Sequence, residues 1–173
     1  MILIVSLCRE KLSELEFVSP IKDLVSGSEV IHYKELCIEK INSADKIILS
    51  GTALADFDYL GYDFSILAKA NRPILGICAG FHALALAFGW ELIDESRIGV
   101  YPVEFTDDNP FLQSTHNSYF LHSKSAAGDF EVIARVNDTP CMVRHKFKEA
   151  YGCIFHPEVL TKELIRSFVN RKE

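Results

Sequence analysis

The sequence predicts a single α/β domain over residues 1–173, with a mixed, mostly parallel central sheet, helices on both faces of that sheet and a small antiparallel section. Three observations lead to this fold class. Short apolar runs alternate with helical patterns in the first half, which is typical of a parallel sheet covered on both faces. The second half changes to short alternating segments separated by turns. A chain of 173 residues is also long enough to bury one core.

The first half is predicted to alternate strands with helices. Apolar runs such as KIIL at residues 46–49 indicate buried strands. The first helix is expected to end at Ser19-Pro20, because the residue before a proline avoids the helical region. The predicted strands cover residues 2–7, 29–33, 46–49 and 74–77, and the predicted helices cover residues 9–17, 34–41, 64–70 and 81–88.

After Trp90 the pattern predicts mostly antiparallel strands joined by turns. Turn-forming runs such as DDNP at residues 107–110 separate these segments. An amphipathic helix over residues 161–169 closes the chain, since Leu164 and Phe168 fall on the same face. The predicted strands of this half cover residues 101–105, 118–121, 130–134, 141–144 and 151–155.

Composition and charge exclude several classes of protein. The net charge is −6 and no Lys/Arg run exceeds two residues, so the sequence carries no footprint for a nucleic-acid backbone. The apolar opening MILIVSLC lacks a basic leader and is too short for a signal peptide or a membrane span, and we therefore expect a cytoplasmic protein. Five cysteines without a C-x-x-C pair predict neither disulfides nor zinc, and we expect no metal or cofactor.

Cys78 is predicted to lie at a strand-to-helix turn, within the run GICAG at residues 76–80. An apolar strand precedes it and an Ala/Leu-rich helix follows. Glycines two residues before and two after Cys78 let the backbone turn sharply without Cβ clashes, which would push the cysteine side chain out above the sheet edge. That is the geometry of a nucleophile elbow with sulfur in place of the serine oxygen. The alternative is a tight turn that carries a buried thiol.

The run YGCIFHPE at residues 151–158 is the second concentrated signal. A predicted strand ends, His156 follows, and Glu158 lies two residues further on. A cysteine attacks well only as a thiolate, so it needs a base within reach and a third group that orients the base. Cys78, His156 and Glu158 supply these three roles, and the carboxyl ends of the strands bring Cys78 and the Gly51 loop to one edge. The alternative for His156 is a surface histidine at a strand end.

These motifs resemble those of the class I glutamine amidotransferases, whose domain carries a Cys-His-Glu triad. The resemblance rests on three segments: PIL-GICAG, the helix up to Trp90, and YGCIFHPE. In addition, Ser50-Gly51 stands where the family has its S-G-G-P loop. The order and spacing of the segments between residues 101 and 140 are most similar to the glutamine amidotransferase subunit of GMP synthase. The resemblance covers about residues 46–169 and implies a flavodoxin-like amidotransferase fold.

The resemblance also implies an activity. The triad would hydrolyse the side-chain amide of glutamine to glutamate and ammonia, with the cysteine as nucleophile, the histidine as acid and base, and the glutamate orienting the histidine. The resemblance also implies that the backbone N–H of Ala79 and an N–H of Gly51 or Thr52 bind the oxyanion of the tetrahedral intermediate. In this family the ammonia passes to a synthetase partner.

Four positions depart from the family pattern. The usual G-I-C-L-G-H-Q reads GICAGFH, so His82 replaces the glutamine that is expected to contact the substrate. Thr52 stands where S-G-G-P has a glycine, and Ile154 replaces a frequent glutamine. The H-x-D motif reads His122-Ser123-Lys124, which keeps the histidine and loses the acid. His82 either hydrogen-bonds a ligand or is a satisfied, semi-buried histidine, whereas a pocket role is favoured for His122.

Three functions therefore stay open. We favour a glutaminase subunit that supplies ammonia to a separate synthetase, because no P-loop or second catalytic domain is present in the sequence. The runner-up is a stand-alone hydrolase of another γ-glutamyl amide, and the third is a non-catalytic amidotransferase-like protein, against which the complete triad argues. Phe57, Tyr62 and Phe64 are interpreted as core, with a pocket wall or a partner interface as the alternative. The sequence leaves the ammonia acceptor and the oligomeric state open.

Overall fold

One mixed sheet of nine strands organises the chain in the computed structural model, which describes residues 1–172. The strand order is β2-β1-β3-β4-β9-β8-β7-β5-β6. The strands are β1 (Ile2–Ser6), β2 (Ser28–His32), β3 (Lys46–Leu49), β4 (Ile74–Ile77), β5 (Glu91–Phe105), β6 (Thr115–Ala127), β7 (Glu131–Val136), β8 (Thr139–Arg144) and β9 (Ala150–Cys153). The α-helices are α1 (Glu14–Phe17), α2 (Ser19–Leu24), α3 (Ile38–Ser43), α4 (Ser65–Ala68), α5 (Ala79–Phe88) and α6 (Lys162–Asn170), with 3₁₀ turns at Lys11–Ser13, Tyr33–Glu35 and Asp58–Gly61.

Five neighbouring strands, β2, β1, β3, β4 and β9, run parallel. Their side chains alternate between two cores, because successive residues of a strand point to opposite faces. Ile48 and Leu75 pack on one face with α1, α2 and α6, and Ile47 and Ile74 pack on the other with α3 and α4. α5 contributes side chains to both cores. The predicted fold class, a mostly parallel sheet with helices on both faces, is confirmed.

The antiparallel section consists of β8, β7, β5 and β6 and is larger than the short strands predicted for it. β5 and β6 form a long hairpin, interrupted by a bulge between Asp94 and Arg97. The prediction began β5 only at residue 101, because the polar run before it has no clear alternation. β9 lies parallel to β4 and antiparallel to β8, so it joins the two sections.

The amino-terminal helices differ from the prediction. The expected helix over residues 9–17 is a 3₁₀ turn followed by α1, and a second helix, α2, then begins at Ser19. Pro20 lies in the first turn of α2, where a residue without an N–H costs no helical hydrogen bond. The Ser19-Pro20 pair therefore marks the start of α2 as well as the end of the preceding helix. All five cysteines are free thiols. Within residues 1–172, no helix combines the length and the apolar character needed to cross a membrane.

Candidate active site

Cys78 lies between β4 and α5 in a strained backbone conformation, with φ 50° and ψ −103°. The flanking glycines are required for close approach: a Cβ on Gly76 would lie 2.5 Å from the Gly80 carbonyl oxygen, and one on Gly80 would lie 2.4 Å from the Leu49 carbonyl oxygen. Cys78 itself takes the positive φ, at an energetic cost that is typical of functional turns. The nucleophile-elbow geometry expected from the sequence is therefore present.

The thiol of Cys78 is more enclosed than the sequence suggested. Cys78 is only 5% exposed, and its Sγ donates to the backbone carbonyl of Leu121 on β6 at 3.7 Å. The side chain does project from the carboxyl edge of the parallel strands, but the β5–β6 hairpin covers it. Sequence patterns give no sign of this cover, because it depends on where the hairpin folds back.

His156 follows β9 and forms a buried pair with Glu158. Its Nδ1 lies 2.7 Å from Oε1 of Glu158, and the two residues are 0% and 1% exposed. A carboxylate only accepts hydrogen bonds, so Nδ1 carries the proton and Nε2 is left for Cys78. Nε2 makes no hydrogen bond of normal geometry among residues 1–172, a common state of catalytic contacts before substrate binds.

The electrostatics of His156 link it to both of its expected partners. Burial alone would lower the pKa of His156, but its interactions with Cys78 and Glu158 outweigh burial and raise that pKa well above its usual value. These interactions favour a protonated imidazole beside the sulfur of Cys78. The structure thus brings Cys78, His156 and Glu158 together.

The backbone around His156 holds the imidazole in place. The His156 N–H donates to the Tyr119 carbonyl at 2.7 Å, and the ring of Phe17 lies 5.6 Å from the imidazole, centroid to centroid. Gly51 packs directly against the ring, because a Cβ at this position would lie 2.8 Å from His156 Cε1. The family resemblance implies an oxyanion contact from Gly51 or Thr52, and the absence of a side chain at Gly51 also makes room for His156.

Several backbone N–H groups near Cys78 are free to bind an oxyanion. Ala79 opens α5, where the first N–H groups have no partner within the helix and no side chain caps them. Among residues 1–172 no acceptor takes the N–H of Ala79, Gly51 or Thr52. All three positions lie at the carboxyl edge of the parallel strands: Gly51 and Thr52 in the loop after β3, and Ala79 at the start of α5.

His82 is a satisfied, buried histidine, the second of the two alternatives open for it. Nδ1 lies 2.7 Å from the Tyr59 hydroxyl, and Nε2 lies 2.9 Å from the Lys124 carbonyl oxygen. A carbonyl only accepts, so Nε2 donates and Nδ1 accepts from Tyr59. Burial lowers the pKa of His82 to about 4, which keeps the ring neutral at pH 7. Both ring nitrogens are used inside the protein, and His82 offers none to a ligand in this conformation.

His122 lies beside the pocket with one ring nitrogen unused. Its Nδ1 donates to the same Lys124 carbonyl at 3.1 Å, while its buried Nε2 has no hydrogen-bond partner within residues 1–172. Burial lowers the pKa of His122 to about 4. The Lys124 side chain points away, to Asp94 at 2.8 Å and over the Phe57 ring at 5.7 Å. The residue type at position 124 reveals only the lost acid, and the hydrogen bonds to the Lys124 carbonyl were not predicted from the sequence.

The loop after β3 closes the remaining side of the pocket. Thr52 Oγ1 donates to Oδ2 of Asp56 at 2.6 Å, and the backbone N–H groups of Arg9 and Asp58 also donate to this carboxylate. Burial opposes ionisation of Asp56, but these hydrogen bonds outweigh it and lower the carboxyl pKa. Phe57 is 36% exposed at the pocket, so the pocket-wall alternative is correct for it, whereas Phe64 is core as predicted.

The pocket beside Cys78 is almost closed. Its volume is about 10 Å³, room for about one water molecule. Its walls come from the loop after β3, the start of α5 and β6, and include Thr52, Phe57, Tyr59, His82 and His122. A molecule of the size of glutamine enters only after these walls move apart.

The fold and this site define a class of α/β enzyme in which a cysteine at a strand-to-helix turn is paired with a histidine and a carboxylate. The family profile Glutamine amidotransferase class-I matches residues 21–172. The chain therefore belongs to the class I glutamine amidotransferase family, whose members are glutamine-hydrolysing enzymes.

Curated relatives include stand-alone subunits and parts of longer enzymes. Anthranilate synthase component 2 of Leptospira biflexa is 32% identical, over 82% of this chain and 83% of that protein. A subunit of the glutamine-hydrolysing GMP synthase of Methanocaldococcus jannaschii is 31% identical, over 73% of this chain and 71% of that one. The GMP synthase of Malacoplasma penetrans is 32% identical over 86% of this chain, which spans only 32% of that longer enzyme.

Solved structures share the fold at lower identity. A Thermoplasma acidophilum protein, assigned as a subunit of GMP synthase, aligns with a TM-score of 0.79 at 22% identity, covering 98% of this chain and 92% of that one. A glutamine amidotransferase from Thermotoga maritima aligns with a TM-score of 0.68 at 17% identity, covering 98% and 83%.

Proposed function

We propose that this chain hydrolyses the side-chain amide of glutamine and supplies the ammonia to a separate synthetase chain, as a GMP-synthase-like glutaminase subunit. The observation that carries the proposal is the arrangement of Cys78 on a strained elbow beside a buried His156–Glu158 pair with an Nδ1···Oε1 distance of 2.7 Å. Cys78 comes from one segment of the chain, and His156 and Glu158 come from a distant one. Together they supply the nucleophile, the base and the carboxylate that orients the base.

The mechanism follows from the protonation states. Cys78 Sγ attacks the amide carbon as a thiolate, and the N–H groups of Ala79 and of Gly51 or Thr52 hold the developing oxyanion. Protonated His156 gives its proton to the departing ammonia, which leaves a γ-glutamyl thioester. Neutral His156 then takes a proton from water, and the resulting hydroxide attacks the thioester carbonyl. The C–S bond breaks, glutamate is released, and the Cys78 thiolate is restored beside protonated His156. Glu158 fixes the tautomer of the imidazole and stabilises its charged form.

A partner chain is supported by the surface around the site. Large exposed apolar side chains occur in the segments that follow the parallel strands at their carboxyl edge and in the neighbouring hairpin: Leu12, Leu15, Leu54, Phe57, Ile98, Val100, Val159 and Leu160. Apolar patches of this kind mark protein–protein contact sites. Two of the relatives are, by their names, a component or a subunit of a larger assembly. We infer that the synthetase docks on the catalytic edge, where the released ammonia emerges.

The direct test measures glutamate and ammonia released from glutamine by the chain alone and with added synthetase chains. The synthetase chains to add are the partners of the GMP synthase glutaminase subunit and of anthranilate synthase component 2. Release that depends on Cys78 and rises with one of these chains supports the proposal. If the wild type and Cys78→Ala release equal amounts in every mixture, the proposal is wrong.

A second candidate, hydrolysis of a different γ-glutamyl amide without a synthetase, is favoured by one observation. His82 replaces the family glutamine and is tied to Tyr59 and Lys124, so the pocket wall differs from the family pattern. Comparing kcat/KM for glutamine with that for a series of N-substituted γ-glutamyl amides separates the two candidates. A strict preference for glutamine rejects this alternative, and a preference for a substituted amide supports it.

A further inference from the structure

A second concave surface lies at the edge of the sheet opposite Cys78. This amino-edge groove has a volume of about 490 Å³ and is bounded by the end of α5 and by the turn between β8 and β9. Ala150, the first residue of β9, pairs with Ile74 at the start of β4, which places the turn at the amino ends of these strands. Aromatic rings form its floor: Phe88 lies 5.2 Å from Trp90 and 4.4 Å from His145, centroid to centroid.

Phe147 stands beside the amino-edge groove with its ring in water. It is 89% exposed, the highest value among the exposed large hydrophobic side chains of residues 1–172. A second recess of about 260 Å³ lies against it, lined in part by Arg72 and Pro73. Burying a phenyl ring of this kind removes apolar surface from water and so stabilises an assembly. The turn therefore presents an apolar knob directly next to an aromatic hole.

The charges of the knob and of the groove have opposite signs. Lys148 follows Phe147, and its Nζ donates to the Ala70 carbonyl at 3.1 Å but makes no ion pair within residues 1–172, whereas Lys146 lines the groove together with Glu91 and Asp129. Lys146 pairs with Asp129 of its own chain, but Glu91 makes no ion pair within residues 1–172. The surface is therefore self-complementary at one charge pair, Lys148 beside Phe147 and Glu91 in the groove, because a two-fold axis lets each copy fill the groove of the other.

We propose that two copies of this chain associate through this edge, with Phe147 of each copy inserted into the amino-edge groove of its partner. Lys148 then faces Glu91 across the interface, and the aromatic floor packs on the inserted ring. The contact lies at the opposite end of the parallel strands from Cys78. Association through it leaves the catalytic edge open, so the inference is independent of the proposed activity.

Sedimentation equilibrium of the full chain over a wide concentration range tests the association. The wild type is expected to dimerise, and Phe147→Ser is expected to raise the dimer Kd at least about 100-fold, since two buried rings are lost per dimer. Leu12→Ser is the matched control: Leu12 is 78% exposed but lies near the catalytic edge, so this variant should dimerise like the wild type. The sole tryptophan, Trp90, lies in the groove, and its emission should shift to the red on dilution.

Charge reversal gives a second, independent test of the partner. Lys148→Glu and Glu91→Lys should each weaken self-association, and an equimolar mixture of the two variants should recover one favourable charge pair and associate more tightly than either alone. A monomeric wild type, a dimer that survives Phe147→Ser, or a dimer lost equally in Leu12→Ser would each overturn the proposal. Circular dichroism of every variant shows whether a lost dimer reflects a lost fold.

Discussion

Acid should destabilise this protein in part through one residue, His82. Burial lowers the pKa of His82 to about 4 in the folded chain, against about 6.5 in an unfolded chain. Between these values the unfolded state binds more protons, so the free energy of unfolding rises with pH. The contribution is complete above about pH 6.5 and is lost as pH falls toward 4. A difference of about 2.5 units corresponds to roughly 3 kcal/mol.

Replacing His82 with glutamine isolates this contribution. At pH 7 His82→Gln should cost roughly 1–3 kcal/mol, because Tyr59 or the Lys124 carbonyl loses a buried hydrogen-bond partner. Between pH 7 and pH 4 the variant should lose roughly 3 kcal/mol less than the wild type does, so the two stability curves converge or cross near pH 4. Tyr59→Phe, which keeps the imidazole, should lower stability at pH 7 and retain the wild-type pH dependence.

Urea unfolding at fixed protein concentration, followed by Trp90 fluorescence at several pH values, measures these differences. The comparison between variants removes the general effect of carboxylate protonation, which both chains share. Equal pH dependence in the wild type and in His82→Gln would refute the reasoning, because His82 would then not be a buried neutral histidine.

Three further predictions concern the catalytic pair and its supports. Glu158→Gln should lower the pKa of His156, which an NMR titration measures, and an unchanged pKa would contradict the pairing. The same substitution should reduce kcat by about 10²–10⁴-fold with little change in KM, because the imidazole is no longer oriented. Gly51→Ala should reduce glutamine hydrolysis by at least about 10-fold, because the added Cβ would lie 2.8 Å from His156 Cε1. Gly61→Ala is the control and should be neutral in the same assay, because a Cβ at Gly61 would meet no atom within 4 Å. Gly152→Ala should destabilise the fold by roughly 1–3 kcal/mol in urea, because its Cβ would lie 2.2 Å from the Phe81 ring; an unchanged unfolding midpoint would show that the ring moves freely.

The sequence predicted the parallel half of the fold and the catalytic trio for the same reason. Strands β3 and β4 are short, uniformly buried and, apart from Lys46, free of charged residues, and their limits match the predicted ones residue for residue. Cys78 directly follows the end of β4, and His156 lies three residues after the end of β9. Because parallel strands end at one edge, the meeting of Cys78 and the Gly51 loop could be predicted without any knowledge of side-chain packing. The strand before His156 was predicted among the antiparallel strands, whereas β9 runs parallel to β4.

The pocket walls were not predictable in the same way. Tyr59 and the Lys124 carbonyl lie far apart in the sequence and meet only through His82, and a backbone carbonyl leaves no trace in residue identity. The β5–β6 hairpin was underestimated because its polar first half alternates poorly, yet this hairpin covers the Cys78 thiol. Prediction from sequence therefore succeeded for residues whose position is decided by backbone topology. It failed for residues whose position is decided by long-range hydrogen bonds.

The central claim is that Cys78, activated by His156, cleaves the amide of glutamine. Incubating the folded protein at neutral pH with a glutamine-mimicking electrophile, followed by intact-mass and peptide analysis, tests it most directly. The account predicts one adduct, on Cys78, that glutamine competes away and that His156→Ala reduces at least about 10-fold, with Cys8, Cys37, Cys141 and Cys153 unlabelled. Labelling that is absent with and without a synthetase chain, or that is spread over the other cysteines, would contradict it.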